Sequence, residues 1–463
     1  MLEILIVSLY DRQKDSNMNI ANLILQLESK ISNNTLDQQM ISKAIRLLEV
    51  GAVKVVGSPG ELPDPAATPL GELYFVEGSY LYYNSGTSWN TFFSVETETQ
   101  TENTVWGWGT NFYGIIGDGT YNCRTSPFPT IGGFTDWSQV AAGAYHSVGL
   151  RSNGTIWAWG ANGTYGVGIT GQLGNNSGTF SLSPVSVVGG ITDWCQIAAG
   201  AYTTLALRTN GTAWTWGLNY NGDLLSKSSP VPVVGGFTDW VSVHSGDTAL
   251  SSFGIRSDGS AWGWGQGQLG KLGNGTTITR SSPVSVVGGF TWSQIAAGRC
   301  HTIGLRCNGT AWAWGANGLG RLGDGTTVNK SSPVAVVGGF SDWCQIAAGA
   351  YHSAGIRTNG TAWSWGFNNS GRLGDGTTVN KSSPVSVVGG FTDWCKIESG
   401  FGHVGAIRTN GTAWAWGDNS RGALGDGTTV TRSSPVSVLG GFTDWCDIAG
   451  SSPAMIALRS RPI

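Results

Sequence analysis

Between residues 340 and 390 the apolar positions come in short runs, "DWCQIAAG", "HSAGIRTNG", "TAWSWG" and "SSPVSVVGG", each closed by a turn former and none following a helical period. Runs of this length, rich in β-branched and aromatic residues, predict four strands. In "TAWSWG" the residues Trp363 and Trp365 stand two apart and share one face of a strand, while Ala362 and Ser364 leave the other face thin. Trp157 and Trp159 repeat the arrangement earlier in the chain. Stacked sheets of this kind would set bulky side chains against small ones. The turn before the tryptophan strand is Asn-Gly at Asn153, Asn210, Asn308, Asn359 and Asn410, with Asp258-Gly259 as the variant. Such pairs supply the positive φ values of a two-residue hairpin.

The W-x-W-G element begins at Trp106, Trp157, Trp214, Trp262, Trp312, Trp363 and Trp414, giving spacings of 51, 57, 48, 50, 51 and 51 residues. A period near fifty with four strands per unit is that of a propeller blade. The array opens at "VWGWG" (105–109) without a preceding hairpin and stops at "DWCDIAGSSPAMIALRSRPI", which holds only the first two strands of a unit. The two partial units add up to one. The prediction is a mainly-β chain whose residues 102–463 form a seven-bladed β-propeller, closed by strands from both ends of the array, which removes free sheet edges.

The first hundred residues follow other patterns. Ile20, Leu23, Ile24, Leu27 and Ile31, then Leu36, Met40, Ile41, Ile45 and Leu48, recur at helical spacing and predict a short α-helical segment within residues 1–50. Its apolar faces call for a partner subunit, copies of the same segment or the chain's own propeller, so the segment is expected to serve docking or oligomerisation. Residues 51–101 hold a Pro-rich linker, "GSPGELPDPAATPLG", and "ELYFVEGSYLYYNSGTSWNTFF", which predicts paired strands with turns at "EGS" and "NSGTS". No signal peptide is expected, because no basic residue precedes the first apolar run and Glu3 interrupts it.

Composition narrows the chemistry. A net charge of −3 with 12% charged residues gives no pull toward a phosphate backbone, so nucleic acid is not an expected partner. No window approaches the ~18 apolar residues of a membrane span. Of 22 tryptophans, 21 belong to W-x-W-G or to the "DW" position, and core packing accounts for them. Four of the seven cysteines, Cys195, Cys344, Cys395 and Cys446, follow that "DW" tryptophan, which predicts one buried position per unit and no disulfide framework. The "LR" arginine recurs seven times among the 26 basic residues, spread around the ring so that it forms no patch; either the Asp of "DW", such as Asp342 or Asp393, or solvent would receive it. His146, His301, His352 and His403 share one repeat position. The ring keeps equivalent atoms apart, whereas zinc needs ligands at ~2.0 Å, so these are expected to be structural histidines satisfied by nearby backbone. With no nucleophile elbow, phosphate-binding loop or carboxylate pair, neither an enzyme, a cofactor nor a metal is expected. The repeats disagree in the loops after W-x-W-G, where Phe112, Tyr113, Tyr165 and Tyr220 are bulky, and these are the candidate binding residues.

W-x-W-G, G-x-L-G-D-G-T (320–326 and 371–377) and A-A-G-x-x-H-[ST] (141–147, 296–302 and 347–353) together resemble the repeats of the regulator of chromosome condensation family over residues 105–459. The resemblance implies the propeller fold and a range of tasks: nucleotide exchange factors, a plant ultraviolet-B photoreceptor and a β-lactamase inhibitor share it. The wedge of the exchange factors has no room here, since the longest unit exceeds the common 51 by six residues. The tryptophans that the photoreceptor places before the repeat histidine are replaced by the Tyr or Cys of "GAYHS" and "GRCHT". "ELYFVEGSYLYYNSGTSW" resembles small β-modules of bacteriophage tail-fibre and other virion proteins. That combination implies a non-enzymatic virion structural or adhesion protein, localised to the virion. It would be held to other virion proteins by its N-terminal segment, as a homo-oligomer or in several copies, and would offer propeller loops to a host-surface glycan or protein. The alternative is a cellular propeller of this family that regulates or inhibits a protein partner.

Overall fold

The computed structural model describes residues 101–164, 168–218, 226–246, 250–452 and 454–462, together with 54–56, 62–64, 73–76, 80–84 and 89–94. The chain divides into compact units between Gln100 and Thr101. The expected helices within residues 1–50 lie outside the described residues.

In the N-terminal unit, Leu73–Val76, Tyr80–Asn84 and Trp89–Ser94 form an antiparallel meander, in line with the paired strands expected there. Lys54–Val56 adds to it in parallel alongside Leu73–Val76, a pairing with no counterpart in the sequence reading.

In the second unit, seven four-stranded sheets follow one another. Blade 1 consists of Trp137–Ala142, His146–Arg151, Ile156–Gly160 and Ser181–Ser186. Blades 2 to 6 repeat that order from Trp194, Trp240, Trp292, Trp343 and Trp394. Blade 7 joins Trp445–Gly450 and Ala454–Pro462 to Thr101–Gly109 and Arg124–Pro129. The closing pair runs in antiparallel register over nine residues, from Ala454 opposite Gly109 to Pro462 opposite Thr101, against five at the equivalent position of blade 5. The expected closure by both ends of the array is therefore what the fold shows.

Packing between blades follows from the alternation in the tryptophan strand. Trp365 of blade 5 is fully buried and lies with Trp343 against Ala311 and Ala313 of blade 4. Burying one indole in this way contributes at most about 4–6 kcal/mol. Trp363 is half-buried and donates Nε1–H to Thr361 Oγ1 at 3.0 Å, so its polar edge is satisfied beside the hairpin. The glycine of the second strand is a matter of room: a Cβ on Gly304 would stand 2.4 Å from the Trp292 ring.

Among the described residues, the loop at the G-x-L-G place clasps its blade to the next. The Ile115 carbonyl accepts from Ser147 Oγ and Trp159 Nε1 of blade 1, both at 2.8 Å. The Lys271 carbonyl likewise accepts from Thr302 Oγ1 and Trp314 Nε1 of blade 4, both at 2.9 Å. The leucine between the glycines is core, as Leu272 and Leu322 show. The glycine after it, Gly273, has φ +70° and would drive a Cβ to 2.7 Å from Trp314 Nε1.

Six of the seven repeat arginines pair with the "DW" aspartate, for example Arg357 with Asp342 at 2.8 Å and Arg459 with Asp444 at 2.7 Å. Arg306 is the exception. Thr291 stands where the others have aspartate, and the guanidinium rests on the Phe290 ring at 4.3 Å. The cysteines require a correction, for Cys195, Cys344, Cys395 and Cys446 are exposed. The ladder shifts register just after each "DW" tryptophan, as between Trp194 and Gln196, and the residue in that irregularity turns outward while the indole keeps the interior.

Candidate binding site

The expected histidine position is a seam between blades. His146, His301, His352 and His403 are fully buried. His146 Nε2 lies 2.9 Å from Thr204 Oγ1 of the next blade, and His301 Nε2 lies 2.9 Å from Ser353 Oγ. Those hydroxyls already donate to the carbonyls of Gln172 and Arg321. Each can therefore only accept from the ring, which puts the imidazole proton on Nε2. The partner is a hydroxyl of the neighbouring blade, a correction to the expected backbone. Val404 and Met455 occupy the hydroxyl position after His352 and His403, whose ring nitrogens make no well-formed hydrogen bond. Burial holds His146 down to about 3 and His403 to about 4, and pushes His301 and His352 well below the ordinary imidazole value. Among the described residues no three His, Cys, Asp or Glu side chains gather as metal ligands.

The innermost strands of all seven blades line an axial cavity of about 280 Å³. Gln139 bridges to the backbone of Ile197, accepting from its N–H at 2.9 Å and donating to its carbonyl at 3.2 Å, and Gln294 does the same to Ile346. In blades 6 and 7 the same position holds Lys396 and Asp447, which form an ion pair. The channel is thus mostly a ring of fasteners.

The repeats diverge at one end of the propeller. The A-A-G turn leads into the second strand, and the third strand returns antiparallel to it, so this turn and the loop after W-x-W-G share a rim, with the Asn-Gly hairpins at the other end. Tyr113, from the loop of blade 7, meets Tyr145 of blade 1 edge-on at 5.3 Å, and Tyr145 stacks on Tyr202 of blade 2 at 5.0 Å. Phe180 extends this ladder from Tyr113 at 5.8 Å. Burial, followed by the hydrogen bond with Tyr145, pushes the Tyr202 phenol up, so it stays protonated. Phe112 is 52% exposed beneath the Arg421 guanidinium, and with Tyr113, Tyr145 and Ser452 it borders a cavity of about 220 Å³.

Of the four candidate binding residues, the structure therefore brings Phe112 and Tyr113 into one surface, while Tyr165 and Tyr220 lie outside the described residues. Tyr145 and Tyr202 were missed. Their signal was the variable place between A-A-G and the histidine, where other units have Cys300 or Gly402. Across the rim, blades 4 and 5 set cations against aromatic rings: Arg299 donates to Tyr351 Oη at 2.7 Å, Arg321 lies 5.3 Å from the Tyr351 ring, and Arg372 lies 4.7 Å from Phe367.

Known proteins place this architecture. A profile of the RCC1-like domain matches residues 164–461, and profiles of the regulator of chromosome condensation (RCC1) repeat match 102–150 and 137–166. The ultraviolet-B receptor UVR8 of Arabidopsis thaliana is 31% identical over 347 residues, 72% of this chain and 76% of the receptor. Yeast RCC1 (Prp20), solved with Kap60 bound to it, superposes with a TM-score of 0.68 at 19% identity, over 78% of this chain and 89% of that one. Prp20p from Saccharomyces cerevisiae, described with its binding to Gsp1p and histones, gives 0.68 at 20% identity, over 78% and 92%. Human WBSCR16 gives 0.67 at 20% identity, over 78% and 100%. The structural likenesses speak for the fold; with the sequence matches they establish that this chain belongs to the regulator of chromosome condensation family of repeat propellers.

Proposed function

We propose that the propeller is a non-enzymatic protein-binding module that regulates or inhibits a partner through the rim bearing Tyr113, Tyr145 and Tyr202. One observation carries this reading: three successive blades set aromatic residues that touch one another on a single end of the ring. Rings already stacked lose little freedom when a partner covers them, and their hydroxyls can still bond to its edge. Yeast Prp20 offers a precedent: one structure has Kap60 bound to it, and another is described with its binding to Gsp1p and histones. The virion reading, with its virion partners, host glycan and virion localisation, finds no support among the plant, yeast and human relatives named above, and the cellular alternative takes its place.

The test is cross-linking with mass spectrometry on the full chain in extracts of its source. A partner cross-linked beside Tyr145 should bind Thr209→Lys and Thr358→Lys, at the opposite end, as well as the unaltered protein. It should bind Tyr113→Ala with Tyr145→Ala at least about tenfold more weakly, the weight of a buried aromatic anchor. Partners that ignore the tyrosines and are lost with the threonine variants would overturn the assignment.

A further inference from the structure

The G-x-L-G loop has a variable residue whose backbone carbonyl holds the next blade, whatever the side chain. Ile115, Gln172 and Ala423 fill this place in three loops with neutral groups. In blades 3, 4 and 5 it is Lys271, Arg321 and Arg372, only 3%, 6% and 5% exposed. Blade construction does not require a cation there, and burying one without a counter-charge is costly.

None of the three has a carboxylate within ion-pair distance among the described residues. Lys271 Nζ donates to Gln266 Oε1 at 3.2 Å and to the Arg299 carbonyl at 3.3 Å. Arg321 Nη1 reaches only the Ala350 carbonyl at 3.5 Å, and Arg372 Nη2 donates to Asn369 Oδ1 at 2.7 Å. Arg321 Nε and both Nε and Nη1 of Arg372 are buried with no acceptor. The one acid acting on the cluster is Asp418, beside Arg372, and Cys300 lies near Lys271 and Arg321. Burial, with Arg299 adding to it, draws Lys271 down to about 8, as expected for a cation lacking its anion. The Tyr351 ring, shared by Arg299 and Arg321, and Phe367 under Arg372 hold the guanidinium planes in place.

We infer that the rim where blades 3, 4 and 5 meet is an anion site, in which Lys271 and Arg321, with Arg299 at its edge, receive a phosphate monoester. The three positive charges of Lys271, Arg299 and Arg321, with N–H donors that have no acceptor, suit a dianion with three acceptor oxygens; a single carboxylate would leave most of them unmatched. The inference goes beyond the protein-binding reading and does not depend on it, since the tyrosine ladder lies on other blades.

The experiment measures thermal unfolding and calorimetric binding of the full chain with inorganic phosphate, with a phosphoserine peptide and its unphosphorylated form, and with acetate. Sodium chloride holds ionic strength constant throughout. Phosphate or the phosphopeptide should raise the melting temperature and bind, while acetate and the plain peptide do neither. A phosphopeptide more than about tenfold tighter than phosphate would assign the source to a phosphorylated partner; equal binding would assign it to free phosphate compounds. Lys271→Met with Arg321→Met should abolish the response and leave the unliganded melting temperature equal or higher, because unmatched charges have been removed from the interior. Arg299→Gln, a change on the surface that tests the site without touching buried groups, should weaken binding about tenfold, and Tyr113→Ala should not. A phosphate response no larger than that of chloride, or one that survives in the double variant, would sink the inference. So would a double variant whose unliganded melting temperature falls.

Discussion

Two seams of the ring, blade 4 to 5 and blade 6 to 7, do one job with different fasteners. At the first, Gln294 bridges to the Ile346 backbone and His301 reaches Ser353. At the second, Lys396 pairs with Asp447, which takes the Ile448 N–H at 2.9 Å, and His403 faces Met455 with no hydroxyl to meet. Yet both seams bury a tryptophan completely, Trp365 at one and Trp108 at the other, against the alanines of the preceding blade. The apolar interlock is what every blade must keep; the polar links are exchangeable, and at His403 the seam holds without one.

Breaking the charged link should cost most. Asp447→Ala strands Lys396, two-thirds buried, without its partner, and should destabilise the propeller by about 3 kcal/mol. Gln294→Ala leaves one N–H and one carbonyl of Ile346 unmatched and should cost about 1–2 kcal/mol. Lys396→Gln with Asp447→Gln rebuilds the neutral fastener and should recover the loss to within about 1 kcal/mol. Denaturant unfolding midpoints of the four proteins check the order, and a double variant as weak as Asp447→Ala would show that the seams are not equivalent.

The histidines sharpen the same comparison through pH. Their folded-state pKa values lie below the unfolded value of 6.5. Below pH 6.5 the unfolded chain therefore takes up protons that the folded chain refuses, and stability falls as pH drops toward about 4. Each histidine contributes a loss of about 1.4 kcal/mol per pH unit in that window. His403→Leu should remove one such share at little cost near pH 7.5, because its ring makes no well-formed hydrogen bond there. His301→Leu should remove an equal share but cost about 1 kcal/mol at that pH through the lost Ser353 contact. Unfolding midpoints from pH 7.5 to 5 separate the two, and an unchanged pH slope in either variant would contradict the burial argument.

Most of the ring was legible because its rules are local. The two-residue spacing of Trp363 and Trp365, the Asn-Gly hairpins and the incomplete units at both ends imply seven blades and their closure. Side chains whose surroundings come from another blade were harder to read. That the repeat histidine bonds a hydroxyl fifty residues on, and that Cys344 turns outward at a register shift, depend on packing that no single repeat contains. The rim was half visible for the same reason. Tyr113 stood out as a departure within its own loop, whereas Tyr145, Tyr202, Arg321 and Arg372 gain meaning only when neighbouring blades set them side by side.

The smallest effect concerns the one repeat arginine that lacks its ion partner. Arg306 lies between Phe290 and Trp312 as Arg256, Arg357 and Arg408 lie between their own Phe and Trp, but its Nε is buried without an acceptor because Thr291 replaces the aspartate. Thr291 already occupies the backbone place of that aspartate. Its carbonyl accepts from Cys307 N–H at 3.2 Å, just as Asp342 accepts from Thr358 at 2.8 Å. Thr291→Asp should therefore set a carboxylate against a guanidinium that is already in position. The paired side chains elsewhere are about a fifth to a third exposed, so screening keeps the gain to about 0.5–1 kcal/mol. Asp342→Ala in the neighbouring blade should lose a similar amount, and the gain from Thr291→Asp should shrink in high salt. If Thr291→Asp gives no gain, the fit of Arg306 between its two rings is already as favourable as the ion pair, and the aspartates of the other six blades serve the turn more than the seam.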